Sequence, residues 1–199
     1  MSIKALVFDV GNVLFKYDPK DVVQKLLPGS IHQSLYLTHL FDDVIWQSLD
    51  RGDITQSDAI QFLTQKLGEE HRENLQTCLT EFSDHLQPMS ESLSCFEHFS
   101  KSIPIYLLSN YQDEPFARLE ALHPILSKAT GKIISARVKV KKPEAKIFWA
   151  LLEEFTLNPE EILFIDDLEE NCKAAEKLGI SSLLFTEKLN LRYEIESRI

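Results

Sequence analysis

The sequence predicts an α/β protein: a mostly parallel sheet covered by helices on both faces, with an all-helical cap inserted after the first strand. Two patterns carry that expectation. Short apolar runs alternate with amphipathic stretches at helical spacing, as expected when each strand of a parallel sheet is buried on both sides. One block, from about Tyr17 to Gln87, breaks the alternation, because strand-like runs are missing there and helical patterns dominate.

Along the chain, the first strand is expected at Ile3 to Phe8. Others follow at Ile103 to Leu108, Ile162 to Ile165 and Ser182 to Phe185, with Ile133-Ile134 inside a further one. Phe148, Leu151, Leu152 and Phe155 recur at helical spacing, and Pro143 and Glu144 suit the first turn of that helix. Ala174, Ala175 and Leu178 mark another helix, with Gly179 placed to end it. In the helical block, "TQSD" at Thr55 to Asp58 has the form of a capping box ahead of Ile60, Phe62, Leu63 and Leu67. "DRGD" at Asp50 to Asp53 and Leu67-Gly68 punctuate separate helices. The expected division is a core of residues 1–16 and 88–199 and a cap of residues 17–87.

Composition narrows the function. With 44% hydrophobic and 26% charged residues, the chain has the make-up of a soluble globular protein. A net charge of -10 argues against nucleic acid and anionic membrane surfaces as partners. An anionic substrate would have to be attracted locally, by a metal ion or a helix end. Cys78, Cys95 and Cys172 share no metal-ligand spacing and read as reduced, buried thiols, and the six histidines form no zinc-type pair. There is neither a basic-then-apolar leader nor an apolar run long enough to span a bilayer. The expectation is a cytoplasmic monomer or homodimer acting on a small metabolite.

Ligands of an open parallel sheet bind beyond the carboxyl ends of the strands. The first strand runs into Asp9 in "FDVGNVLF", "IYLLSN" ends in Ser109 and Asn110, and "ILFIDD" ends in Asp166 and Asp167. Each alone reads equally as a turn or a helix cap. Three carboxylates at one sheet edge repel one another, however, and call for a cation among them. Mg²⁺ is the natural candidate, since it takes oxygen ligands and is held by one or two carboxylates plus a substrate phosphate. "KKPEAKIF" adds Lys142 just before the Pro143 helix, an ammonium and free N–H groups suited to a phosphate oxygen.

In this order the motifs resemble the haloacid dehalogenase superfamily, in its branch with a helical cap after the first motif. The family's Asp-x-Asp is matched by Asp9-Val10-Gly11, its Ser or Thr by Ser109 with Asn110, its Lys by Lys142-Pro143 and its acidic pair by Asp166-Asp167. The resemblance implies a Rossmann-like, doubly wound core and a covalent mechanism in which Asp9 attacks phosphorus and the aspartyl-phosphate is then hydrolysed. It further implies Mg²⁺ on Asp9, the Gly11 carbonyl, Asp167 and Asp166, the last directly or through water. Ser109, Asn110 and Lys142 would hold the phosphoryl oxygens, with Gly11 and Asn12 beside them. Gly11 departs from the pattern: phosphatases of the family usually place a second Asp there, as acid to the leaving group and base to water. "FDxGNV" is most similar to the sugar-1-phosphate phosphatase branch, typified by α-D-glucose-1-phosphate phosphatase, and to phosphatases like the N-terminal part of epoxide hydrolase. An anomeric hydroxyl leaves with less protonation, so Gly11 implies a preference for sugar 1-phosphates.

The expected activity is therefore Mg²⁺-dependent hydrolysis of a small phosphate monoester, a sugar phosphate. Two alternatives stay open: a 2-haloacid dehalogenase-type hydrolase, and a catalytically weakened binding or regulatory protein. Trp46 and Arg51 are candidate cap contacts to substrate, set against cap core and solvated charge respectively.

Overall fold

The computed structural model describes residues 2–41 and 44–199. Among the described residues, seven strands form: β1 (Ala5–Phe8), β2 (Phe15–Lys16), β3 (Gln87–Pro88), β4 (Ile105–Ser109), β5 (Gly131–Ile134), β6 (Ile162–Asp166) and β7 (Ser181–Leu184). Five of them make one parallel sheet in the order β5-β4-β1-β6-β7, and β2 and β3 pair antiparallel apart from it. The helices are α1 (Pro19–Leu26), α2 (Gln33–Tyr36), α3 (Val44–Arg51), α4 (Gln56–Leu67), α5 (Arg72–Glu81), α6 (Ser90–Phe99), α7 (Asp113–Leu122), α8 (Ser135–Val138), α9 (Ala145–Glu154), α10 (Glu169–Glu176) and α11 (Leu191–Glu196).

The three central strands, β1, β4 and β6, are buried at every position because they are apolar up to their last residues, Ser109 and Asp166 in β4 and β6, and their alternation feeds two cores. Leu6 and Phe8 point to one, with Phe96 and Phe99 of α6, Phe116 of α7 and Ile195 of α11. Val7 points to the other, with Leu108, Phe164 and the α9 stripe Ile147, Phe148, Leu151 and Leu152. β1 is central, pairing Phe8 with Leu107 of β4 and with Ile165 of β6. The residues that follow these strands therefore emerge side by side at one edge.

Element positions shift slightly from expectation. The first strand begins at Ala5 rather than Ile3, β4 runs on through Ser109, β6 through Asp166, and β7 spans Ser181–Leu184. The helix expected to open at Pro143 begins at Ala145, with Glu144 in the cap position, so Lys142 lies in the loop ahead of it, as expected, but further from its first turn. The Thr55–Asp58 capping box forms as expected, with Asp58 N donating to Thr55 Oγ1 at 3.1 Å and Thr55 N to Asp58 Oδ2 at 2.8 Å.

The helical cap, α1 to α5, fills the chain between β2 and β3, and the Lys16–Gln87 pair joins its entry to its exit. Four contacts pin the end of α3 to the core. The Ser135 hydroxyl donates to the Asp50 carbonyl, and Lys139 Nζ donates to the Gly52 carbonyl. Lys141 Nζ donates to Gln47 Oε1 at 3.1 Å, and Arg51 pairs with both oxygens of Glu144, at 2.6 and 3.1 Å. Gly52 is needed here: its φ is +75°, and a Cβ would come within 2.5 Å of the Ala136 carbonyl oxygen. Among the described residues no helix is long and apolar enough to cross a membrane. Cys78, Cys95 and Cys172 are buried free thiols.

Candidate active site

Asp9 leaves β1 still in register, its N–H donating to the Ile165 carbonyl at 2.9 Å. The chain then turns sharply. Asn12 adopts φ +52°, a left-handed conformation that Asn tolerates because its short amide can bond locally. Its N–H donates to the Phe15 carbonyl at 2.7 Å, and its Oδ1 accepts from Tyr17 N at 3.0 Å. The turn leaves Asp9 facing Lys142 and the end of β6.

Lys142 is only 2% exposed and bridges two carboxylates, Asp9 Oδ1 at 2.8 Å and Asp166 Oδ2 at 2.6 Å. Burial works against its charge, but Asp9 and Asp166 together outweigh that and hold its pKa above the usual lysine value. The loop that carries it is fixed by Asn110, whose amide donates to the Lys142 carbonyl at 2.9 Å and accepts from the Lys142 N–H at 2.8 Å. The side chain expected to grip phosphate lines the cavity and also positions the lysine's loop. Lys142 precedes Pro143 through a cis peptide bond.

Asp166 is fully buried and its oxygens are engaged. Oδ2 takes Lys142, while Oδ1 accepts from Leu168 N and Asn171 Nδ2, both at 2.9 Å. Asn171 was not anticipated; its only sequence signal is its place one helical turn after the acidic pair. Asp167 is half-exposed beside it. Burial and the charge of Asp166 raise its pKa, against a hydrogen bond from Asn12 and the Lys142 charge.

Ligand atoms of Asp9, Asp166 and Asp167 lie within 4.8 Å of one another. Burial pushes the Asp9 carboxyl up to about 7, with Asp166 and Asp167 adding to the rise against Lys142. One ammonium does not balance three carboxylates. The all-oxygen donor set suits a hard dication such as Mg²⁺. Asp9 and Asp167 are the better placed to hold it, since the oxygens of Asp166 are already hydrogen-bonded.

These groups open onto a cavity of about 240 Å³. Its floor holds Asp9, Gly11, Asn12, Ser109, Asn110, Lys142 and Asp167. Its walls are largely aromatic, with Tyr17, Trp46, Phe82 and Tyr111. Trp46 stacks on Tyr17 at 6.0 Å between ring centroids and meets Phe82 edge-on at 4.9 Å, so it is both cap core and cavity wall. Arg51 is turned away onto Glu144. Asp50, read from the sequence only as helix punctuation, faces the cavity from the end of α3. A larger hollow of about 850 Å³ lies beside Lys16, Met89 and Arg192 and contains none of the residues at the sheet edge.

Residues 3–179 match the model of the haloacid dehalogenase-like hydrolase family. The chain belongs to the haloacid dehalogenase-like hydrolases. Among relatives of this hydrolase, the sesquiterpene phosphatase astK of Aspergillus oryzae is 24% identical over all of this chain and 97% of its own. A D-ribitol-5-phosphate phosphatase of Bacteroides thetaiotaomicron is 28% identical over 90% of each. The drimenol cyclase drtB of Aspergillus calidoustus is 26% identical, but only 34% of its length is matched. A haloacid dehalogenase family enzyme of Bacteroides thetaiotaomicron, solved with magnesium and inorganic phosphate, has a TM-score of 0.77 at 22% identity, covering 97% of this chain and 99% of that one. The L-2-haloacid dehalogenase of Xanthobacter autotrophicus gives 0.67 at 20% identity over 90% and 76%. At these identities the structural likeness is one of fold.

Proposed function

We propose that this hydrolase is a Mg²⁺-dependent phosphatase that cleaves a small phosphate monoester, of the size of a sugar phosphate, through an aspartyl-phosphate on Asp9. The observation that carries the reading is the Asp9–Lys142–Asp166 bridge, with Asp167 beside it, at the floor of a cavity. Lys142 keeps Asp9 oriented toward that cavity and offers positive charge to a phosphoryl group, whose transfer depends mainly on positioning and charge stabilisation. Ser109, with the N–H groups of the loops at the sheet edge, would hold the phosphoryl oxygens. Bound by Asp9, Asp167 and the Gly11 carbonyl, with Asp166 at further remove, Mg²⁺ would neutralise the charge that builds up there. Residues 17–87 would act as a cap that excludes water from the acyl phosphate.

Two features bear on the substrate. Gly11 provides no acid, which by itself favours esters of more acidic hydroxyls, sugar 1-phosphates first. The ring-lined wall of Trp46, Phe82 and Tyr17 favours an alcohol with an apolar face, in keeping with the similarity to a sesquiterpene phosphatase. A panel of sugar 1-phosphates, polyol phosphates and prenyl monophosphates tests both, read as phosphate release with and without Mg²⁺. The expected result is Mg²⁺-dependent release that Asp9→Asn abolishes. Chloride release from 2-haloacids with no phosphatase activity would move the chain to the dehalogenase reading.

A further inference from the structure

We propose that Asp50 of the cap replaces the acid–base residue missing at Gly11: it protonates the departing alcohol and then deprotonates the water that hydrolyses the aspartyl-phosphate. The inference rests on the phosphatase reading above and deepens it. Its basis is the geometry of the cavity. Beside the nucleophile the space is open, since a Cβ at Gly11 would meet nothing within 4 Å. Among the described residues, the acids that line the cavity are Asp9, Asp167 and Asp50. Attack uses the first and cation binding the second, which leaves Asp50 without a task.

Asp50 is also held in place. Its main-chain carbonyl accepts from the Ser135 hydroxyl, which in turn accepts from Tyr111 N at 2.9 Å, while its neighbour Arg51 is paired with Glu144. The last turn of α3 is thereby fixed against the core, with Asp50 in the lining of the cavity that holds Asp9. Burial of the Asp50 carboxyl favours its protonated form. Burial raises its pKa well above the usual carboxylate range and the Asp9 charge adds to this, against Lys141 and the Gln112 side-chain amide. A carboxyl biased toward its protonated form suits a poor leaving group, which has to gain a proton as it departs.

An Asp9 carboxylate oxygen bonds to phosphorus as the ester P–O bond breaks, and the Asp50 proton passes to the leaving oxygen to give the alcohol. The Asp50 carboxylate then takes a proton from water as that oxygen bonds to phosphorus. The P–O bond to Asp9 breaks, regenerating the Asp9 carboxylate, protonated Asp50 and inorganic phosphate. On this assignment wild-type enzyme has no strong preference for a sugar 1-phosphate over an alkyl phosphate.

The test compares kcat/KM on an alkyl phosphate, ribitol 5-phosphate or glycerol phosphate, with kcat/KM on p-nitrophenyl phosphate, whose leaving group needs no proton. Asp50→Asn is expected to lower the alkyl value about 10²–10⁴-fold and the p-nitrophenyl value less than about tenfold. Adding Gly11→Asp to Asp50→Asn is expected to restore the alkyl value, since the position has room for a side chain. Equal losses on both esters, or none on either, would overturn the role of Asp50 while the phosphatase reading stands. A wild-type protein inactive on every ester with Mg²⁺ present would overturn both.

Discussion

At the scale of single residues, the site is organised by one buried lysine. Lys142 is closed in by Asp9, Asp166 and the Phe164 ring, 5.5 Å away, with its loop fixed by Asn110. Removing one partner of a buried ion cluster leaves the others uncompensated. Lys142→Met is therefore expected to cost about 3–5 kcal/mol in urea unfolding without Mg²⁺ and to abolish phosphate release. A variant as stable as wild type would contradict the bridge. The pH behaviour of Asp9 follows from the same crowding. An ordinary Asp ionises near 3.8, but here the folded chain keeps the proton up to about 7. Between those values the folded state binds the extra proton, so this group's contribution is full below the lower value and is lost as pH rises through the upper one. A dication at the carboxylates offsets that loss. Mg²⁺ should raise Tm more at about pH 8 than at about pH 5, and Asp9→Asn should flatten the difference. An equal Mg²⁺ shift at both pH values would count against it.

At the scale of elements, the contacts between α3 and the α8–α9 loop set how the cap sits over the cavity. The Arg51–Glu144 pair is about a third exposed, so its worth is small, at most about 1 kcal/mol. Glu144→Gln should leave the unfolding midpoint nearly unchanged but speed amide exchange over residues 47–53, where the cap lifts from the core. No change in exchange there would mean that the remaining three contacts hold the cap alone. This scale also shows what the sequence disclosed and what it hid. β1, β4 and β6 were legible because three short apolar runs each end in a polar residue, Asp9, Ser109 and Asp166, and together fit buried strands that emerge at one edge. Lys142 was legible as a site residue but not in its setting, because its partners lie 133 and 24 positions away in the chain. Asp50 was read as turn punctuation, since no local pattern shows that the end of α3 lines the same cavity as Asp9. Asn171 and the partners of Asn110 were hidden likewise, because what a side-chain amide bonds to depends on which loops meet.

At the scale of the whole molecule, a net charge of -10 surrounds a site built to receive an anion. The general field repels the substrate, and only the local charge of Lys142 with a bound dication attracts it. Salt screens the longer-range repulsion more than the short-range attraction inside the cavity. Raising ionic strength from about 0.01 M to about 0.15 M is therefore expected to increase kcat/KM for a phosphate ester. A decrease would mean that attraction reaches well beyond the cavity. The account as a whole turns on a phosphoryl group passing through Asp9. The most direct measurement is mass spectrometry of enzyme acid-quenched during turnover with Mg²⁺ and substrate. The account predicts a peptide containing Asp9 that carries one phosphoryl group and is absent without Mg²⁺. Steady release of phosphate with that peptide unmodified, or with label on another residue, would contradict it.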